Sequence, residues 1–484
     1  MYTSTRKKLK INASEAIIRG ISEDGGLFIF CQLPPFLFNK KFSLLSYQEM
    51  AEKILTFFLN DFTNEEIKQV IEKTYTSSNF ESKIIEIKNL KDFSFLELYH
   101  GPTLSFKDMA LTMLPNLIEI AKAKHNDYLK TLILTATSGD TGGAALASFG
   151  KDDKNKIIVL YPINGISHFQ EKQMHFYTNQ RAKLIGINGN FDDCQNIVKK
   201  VFTNVYDLKN IELSSANSIN IGRLIPQIIY YFYAYFKMVN RNEILYGEKI
   251  NVVVPTGNFG NILACYIAKK MGLFINKIIC ASNENNVLTD FFNTKIYNCN
   301  RPFYSTNSPA MDILISSNLE RLLFIITDGN YKVINKLMKD LQVQKSFYLP
   351  KQYHSQINDF VAFSINNEET LFYIKDCFEK YNYLIDPHTA VAYGAYLNLK
   401  NKLKGKTLII STASPFKFID TINEVFKIEE KDFSLVEKIA EKSCIEIPNL
   451  LKKIYAFTFQ QEVWDKEDAE EKLRKLIGEL DENC

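Results

Sequence analysis

"INVVVPTGNFGNILACYIAKKMG", residues 250–272, runs from an apolar strand through Thr256-Gly257-Asn258-Phe259-Gly260-Asn261 into a helix. Glycines in such a turn let the backbone approach a ligand closely, and the free N–H groups at the helix start form an anion seat without needing a cation. The spacing is neither G-x-G-x-x-G nor G-x-x-x-x-G-K-[ST], which argues against the usual dinucleotide and triphosphate loops. "GKT" at 405–407 is half of a P-loop at most, because position 400 is Lys and a strand follows. The same strand–turn–helix alternation returns upstream in "TLILTATSGDTGGAALASFG" (131–150), "KIIVLYPINGIS" (156–167) and "AKLIGINGNFDDCQNIVKKVF" (182–202). Alternation of this kind predicts parallel sheets covered on both faces. An aromatic helical run, "LIPQIIYYFYAYF" (224–236), separates the two groups of units, so two lobes with a cleft between them are expected.

The chain of 484 residues is 46% hydrophobic and nearly neutral, with 58 basic against 55 acidic residues. That balance gives no global field for nucleic acid or an anionic membrane. Its N-terminus has no apolar segment of the signal-peptide kind and the chain no uninterrupted apolar run of about 18 residues. Eight scattered cysteines without a C-x-x-C pair suit a reduced cytoplasm. The six histidines lack metal-ligand spacing, so no metal is expected. The expected organisation is an N-terminal domain at 1–94, a smaller α/β lobe at 95–220, and a larger α/β lobe at 221–484 that includes the charged C-terminal helices. A helix is expected within "SYQEMAEKILTFFLNDF" (46–62).

"HGPTLSFKDMALTML" (100–114) holds a lysine after a turn that cannot continue a helix. Ser105 or Thr103 is expected to cap a new helix, with Lys107 in its first turn, where the helix dipole disfavours an ammonium and favours a neutral amine. Two more polar stretches complete the set. "ATSGDTGGAAL" (136–146) offers the hydroxyls of Thr137, Ser138 and Thr141 for a carboxylate or a second phosphate, and "SSANSINIGR" (214–223) gathers Asn217, Ser218, Asn220 and Arg223. An arginine can fork onto a phosphate while amides and hydroxyls take its remaining oxygens.

These motifs resemble those of threonine synthase, a pyridoxal-phosphate enzyme of the tryptophan-synthase-β fold type. "HGPTLSFKD" is similar to its lysine signature, "ATSGDTG" to its substrate-carboxylate loop and "PTGNFGNILA" to its cofactor-phosphate loop. "EDGGLF", "NENNVLT", "SPAMDI", "IDPHTAVAYGAY" and "STASPFKF" extend the match from residue 22 to about 418, closest to the longer subgroup with an extra N-terminal domain. Ser414 departs from it, standing where His is expected. The resemblance implies that Lys107 binds pyridoxal 5'-phosphate covalently and that Phe106 packs nearby. Gly257, Asn258, Phe259, Gly260 and Asn261 would hold the cofactor phosphate. Ser138, Asp140 and Thr141 would face the substrate, Asp140 standing where related enzymes of this fold often have Asn. Asn217, Ser218 and Arg223 would take the substrate phosphate. Thr412, with Ser411 and Ser414 close behind, would meet the pyridine nitrogen; a hydroxyl there favours elimination and replacement over transamination. Lys107 would be the one mobile base, and His100 and His388 would make structural hydrogen bonds at least as readily as catalytic ones. The implied reaction turns O-phospho-L-homoserine and water into L-threonine and phosphate. The alternatives are a phospholyase giving 2-oxobutyrate and a non-catalytic homologue.

Overall fold

The computed structural model describes residues 1–81, 83–151, 155–204 and 208–482. Two sheets organise the chain. The larger has the strand order β13-β10-β9-β14-β4-β3, with β13 Phe360–Ser364, β10 Ile275–Ser282, β9 Ile250–Pro255, β14 Thr407–Ser411, β4 Phe93–Glu97 and β3 Glu86–Asn89. Every pairing in it is parallel except the β3–β4 hairpin at one edge. Strand β9 is buried throughout, as an apolar run with helices on both faces requires. The smaller sheet is wholly parallel, ordered β15-β7-β6-β5-β8, with β15 Val463–Asp465, β7 Ala182–Asn188, β6 Asn155–Pro162, β5 Lys130–Ala136 and β8 Ile211–Ser214.

Two antiparallel pairs lie outside these sheets: β1 Tyr2–Ser4 with β2 Phe28–Phe30, and β11 Ile296–Asn298 with β12 Ser346–Tyr348. Residues 46–62 do contain a helix, Tyr47–Phe58, started by a Ser46–Glu49 capping box. It packs on the long helix Ile221–Asn240, which also meets the helices Gly260–Lys270 and Asp108–Leu111. Phe36 and Phe38 close this junction edge-on against Phe232 at 5.4 and 5.6 Å. The N-terminal unit is thereby anchored to the helix that follows the "SSANSINIGR" loop.

Two of the expected boundaries move. Residue 94 falls inside β4, which pairs with β14 in the larger sheet, so the hairpin at 86–97 belongs to that sheet and not to an N-terminal cap. Strand β3 reads as surface because it is an edge strand, its Lys88 and Asn89 exposed. The end of the chain, assigned to the larger lobe, instead docks on the smaller: β15 extends the β7 edge, and Ala469, Leu473 and Ile477 of the helix Ala469–Glu482 share a core with Leu132, Leu160 and Ile187. Asp481 fixes the docking by accepting from the backbone N–H groups of Lys209, Asn210 and Ile211.

Candidate active site

The lysine segment is stitched to the end of β14. Phe106 N–H donates to Thr412 O at 2.7 Å, Ser414 N–H to Leu104 O at 3.0 Å, and Ser105 forms a bridge with Ala413. Neither Ser105 nor Thr103 caps the helix as expected. Lys107 itself occupies the N-cap position of a single turn, Asp108–Leu111, one residue ahead of the first turn. The reason is Asp108, whose buried carboxylate accepts from Thr103 N–H at 2.8 Å and Thr103 Oγ1 at 2.6 Å and so draws Thr103 away from the helix end. Burial, opposed by those Thr103 bonds, raises the Asp108 pKa to about 6. Gly101 is needed here, since a Cβ on it would sit 2.5 Å from the Asp108 Cβ.

Lys107 Nζ lies 3.3 Å from Asp140 Oδ2 and 5.7 Å from the Phe106 ring centroid. Asp140 begins the helix Asp140–Phe149, where Thr137 Oγ1 gathers the N–H groups of Gly139 and Gly142 at 3.0 and 2.8 Å. Ser138 and Thr141 flank it, half-buried. The other Asp140 oxygen, Oδ1, faces Lys417 Nζ at 3.1 Å and accepts from Gln170 Nε2 at 2.9 Å. Burial lowers the Lys107 pKa; Asp140 opposes this and the neighbouring Lys417 and Arg223 add to it. Burial alone would raise Asp140, but Lys107, Lys417, His388 and the Gln170 hydrogen bond hold it far below the usual carboxylate range.

The "PTGNFGNILA" turn is held from behind. Ser316 Oγ donates to Gly257 O at 2.7 Å, and Asn318 donates to Asn258 O through both its backbone N–H and its side chain. A Cβ on Gly257 would lie 2.8 Å from Ala310 O, whereas one on Gly260 meets nothing nearer than 3.6 Å, so the tight approach is at Gly257. Phe259 takes a left-handed φ of 63°, and its ring is buried near Phe292 and Phe360, leaving only its backbone to offer a ligand. Asn261 is likewise turned inward. Its Oδ1 accepts from Tyr230 at 2.8 Å and from Tyr231, and its Nδ2 is buried without a partner among the described residues. Asn258 is the exposed side chain of the turn.

The "SSANSINIGR" loop meets the same support. Ser218 Oγ is 3.4 Å from Ser317 Oγ, which donates to Asn258 Oδ1 at 3.4 Å, and Asn217 accepts from Thr135 Oγ1 at 3.2 Å. Asn220 caps the long helix through Gly222 N–H. Arg223 is buried, with Nη1 donating to Ala216 O at 2.7 Å and Nε without a partner among the described residues. Burial brings its pKa down to about 10. Behind both loops lies Arg321, fully buried, which donates to Phe28 O, Asn318 Oδ1 and Ile219 O at 2.9, 2.5 and 2.5 Å.

At the end of β14 the Ser411 hydroxyl is 3.1 Å from that of Thr389, while among the described residues the Thr412 and Ser414 hydroxyls have no such partner. His388 is structural: its Nδ1 faces Asp386 at 2.8 Å and its Nε2 accepts from Ala310 N–H at 3.1 Å, tying two loops together. His100 pairs with Glu97 at 2.9 Å. Among the described residues no group of three His, Cys, Asp or Glu side chains could hold a metal ion. The seven described cysteines are free, Cys484 lying outside those residues.

The cluster thus collects three cations, Lys107, Lys417 and Arg223, around one carboxylate in ion-pair contact, Asp140. Arg223 with its orphaned Nε calls for an anion, and the turn at 256–261 offers backbone N–H groups for another. Five partners escaped the sequence reading: Lys417, Gln170, Ser317, Asn318 and Arg321. Lys417 alone carried a signal, a lysine enclosed in the apolar "SPFKF".

Comparison with known proteins gives one consistent picture. The family model for the threonine synthase N terminus matches residues 1–75, and that for pyridoxal-phosphate dependent enzymes matches residues 82–413. Threonine synthase of Saccharomyces cerevisiae is 34% identical over 98% of both chains. Human threonine synthase-like 1 is 38% identical over 86% of this chain, the match spanning 58% of that longer protein. The crystal structure of the yeast threonine synthase superposes with a TM-score of 0.89, covering 99% of this chain and 98% of the other at 33% identity. A pyridoxal-phosphate-bound threonine synthase from Brucella melitensis gives 0.86 at 31% identity, covering 98% of each chain.

Proposed function

Because the chain belongs to the threonine synthase family of pyridoxal-phosphate-dependent enzymes, we propose that it makes L-threonine and phosphate from O-phospho-L-homoserine and water. The observation that carries the substrate is Arg223, a buried guanidinium with an unpaired Nε beside Lys107 and the Asn217–Ser218 loop. A buried cation without a counter-ion is costly, and a substrate phosphate supplies that counter-ion. Lys107, with Thr412 and the backbone of Gly257, Asn258, Phe259, Gly260 and Asn261, would hold the cofactor. Bound pyridoxal phosphate supplies an electron sink for carbanionic character on the substrate.

The chain's own groups do the rest. Lys107 Nζ, held toward the neutral amine by burial, takes protons from the substrate Cα and Cβ and delivers them to Cγ, which becomes the methyl group once phosphate has left, and back to Cα. Asp140 keeps that amine in place. Ser138, Thr141 and the start of the helix Asp140–Phe149 receive the substrate carboxylate. Arg223, Asn217 and Ser218 grip the phosphate, and their grip tightens as the Cγ–O bond breaks and charge gathers on the leaving group. Water then adds its hydroxyl at Cβ. A cavity of about 260 Å³, lined by Ser167, Gln170, Thr306 and Asp420, lies on the far side of Gln170, the hydrogen-bond partner of Asp140. Free cysteines support a cytoplasmic location.

Incubating the purified, cofactor-loaded protein with O-phospho-L-homoserine and analysing the products tests the reading. Threonine and phosphate in equal amounts are expected. Equimolar 2-oxobutyrate and ammonia would make it a phospholyase, and no phosphate release would leave it a non-catalytic homologue.

A further inference from the structure

We propose that Lys417, a residue outside every expected contact, is a positioning residue that draws the Asp140 carboxylate partly away from Lys107 and so keeps the Lys107 amine free to exchange protons. The inference rests on the functional reading of Lys107 given above. Its basis is the inequality of the two lysines that share Asp140.

Lys417 Nζ is held on three sides: it donates to Thr103 O and Gln173 Oε1, each at 2.8 Å, and lies 3.1 Å from Asp140 Oδ1 as an ion pair. Its side chain has no solvent exposure. Its two hydrogen bonds to fixed neutral acceptors hold its nitrogen in place beside Asp140. Among the described residues Lys107 Nζ has one polar partner, Asp140 Oδ2, which accepts its hydrogen bond at 3.3 Å. Asp140 thus divides its carboxylate: Oδ1 faces Lys417 and accepts from Gln170, and Oδ2 accepts from Lys107. Without Lys417, Asp140 would pair with Lys107 alone and lock it as an ammonium.

Among the described residues, Arg223, His388 and Asp108 are the other charged or titratable groups that face this pair. Arg223 comes from the long helix, His388 from the helix Pro387–Leu399 and Asp108 from the lysine turn. His388 is held by Asp386 and Ala310, and Arg223 is a fixed cation, so neither replaces Lys417 as the partner of Asp140 Oδ1. Lys417 is also placed to act in two directions: its bond to Thr103 O reaches the loop that Asp108 closes, and its bond to Gln173 reaches the helix His168–Phe176 that carries Gln170. One side chain thus couples the position of the lysine turn to that of the Asp140 helix.

Three full-length variants, Lys417→Met, Lys417→Gln and Asp140→Asn, test this against wild type. The readout is the pH titration of the cofactor's visible absorption in the holoenzyme, with the kcat/KM–pH profile alongside. Removing the Lys417 charge strengthens the hold of Asp140 on the Lys107 nitrogen, so both Lys417 variants should titrate at higher pH by about one unit, an effect of about tenfold at a fixed pH. Asp140→Asn removes the attraction and should shift the midpoint to lower pH. Lys417→Gln keeps hydrogen-bonding capacity and covers the case in which the methionine variant does not fold. Midpoints that stay at the wild-type value in a folded Lys417 variant, even with reduced activity or melting temperature, would mean that Lys417 only packs the site and would overturn the proposal. A shift of the same sign in Asp140→Asn and the Lys417 variants would overturn it equally.

Discussion

Arg223 offers a perturbation whose effects on stability and activity have opposite origins. Its guanidinium is buried, spends one donor on Ala216 O and leaves Nε without a partner among the described residues. Replacing it by Met removes a buried cation that has no carboxylate partner among the described residues, which is favourable, and orphans the Ala216 carbonyl, which costs about 1 to 3 kcal/mol. The two oppose each other, so Arg223→Met should melt close to wild type. Activity has no such offset. If two charge-assisted hydrogen bonds to the substrate phosphate are lost, at about 1.5 to 3 kcal/mol each, kcat/KM should fall by roughly two to four decades. Arg223→Lys keeps the charge but loses the fork, and should lose roughly one to two decades. The assay combines steady-state kinetics with thermal melts of the cofactor-loaded protein in inorganic phosphate. At phosphate near 100 times its Kd the wild type gains about 2.7 kcal/mol, and Arg223→Met should gain none. Equal stabilisation of the two proteins by phosphate, or a wild-type kcat/KM in the variant, would refute the placement of the substrate phosphate at Arg223.

Three further outcomes are expected. Borohydride reduction of the holoenzyme followed by peptide mass analysis should label Lys107, and Lys107→Ala should lose both the label and the cofactor's visible band; a label on another lysine removes Lys107 from its role. Gly257→Ala should weaken cofactor retention by more than about tenfold, because its Cβ must push on the Ala310 carbonyl 2.8 Å away, whereas Gly260→Ala, with only side-chain amides at 3.6 and 3.7 Å, should retain it; equilibrium dialysis separates the two. Asp108 is a carboxyl whose folded pKa is raised to about 6, so its contribution favours the fold below the unfolded value near 3.8 and fades as pH rises through 6. Between pH 6 and 5 the wild type should therefore gain about 1 kcal/mol at this site that Asp108→Asn does not, measured as the difference between their denaturant midpoints.

Much of this architecture was legible because its signals are local. A buried parallel strand followed by a Gly-rich turn marks itself within a dozen residues, and β5, β6, β7 and β9 all lie where the apolar runs place them. The same holds for Ser46 and its capping box. What sequence concealed was tertiary. Strand β15 is three residues, "VWD", with no burial pattern of its own, and only the docking of the helix Ala469–Glu482 brings it to the β7 edge. The boundary at 94 failed because an edge hairpin looks like surface to any periodicity argument. Asp108 was read past, although a carboxylate is a stronger acceptor for free N–H groups than the hydroxyls of Thr103 and Ser105 assigned to cap the helix.

The polar residues that sequence reasoning missed share one property, which is that each serves a partner far along the chain. Lys417 follows a serine-proline turn amid phenylalanines, and nothing near it announces a carboxylate; its meaning lies in Asp140. Arg321 sits in the helix Leu319–Ile326 and spends its donors on Phe28 O, Ile219 O and Asn318 Oδ1, joining the N-terminal strand pair to the "SSANSINIGR" loop and to the support of the "PTGNFGNILA" turn. That arrangement gives the N-terminal unit a physical role at the site. Arg321 braces Asn318, and Asn318 holds the backbones of Asn258 and Ser218 together, one in the turn proposed for the cofactor phosphate and one in the loop proposed for the substrate phosphate. A buried cation is expensive to keep without a counter-ion. Of the three basic side chains here, Lys107 and Lys417 face Asp140, while Arg223 has no carboxylate partner among the described residues, which is why the proposed substrate phosphate is placed at Arg223.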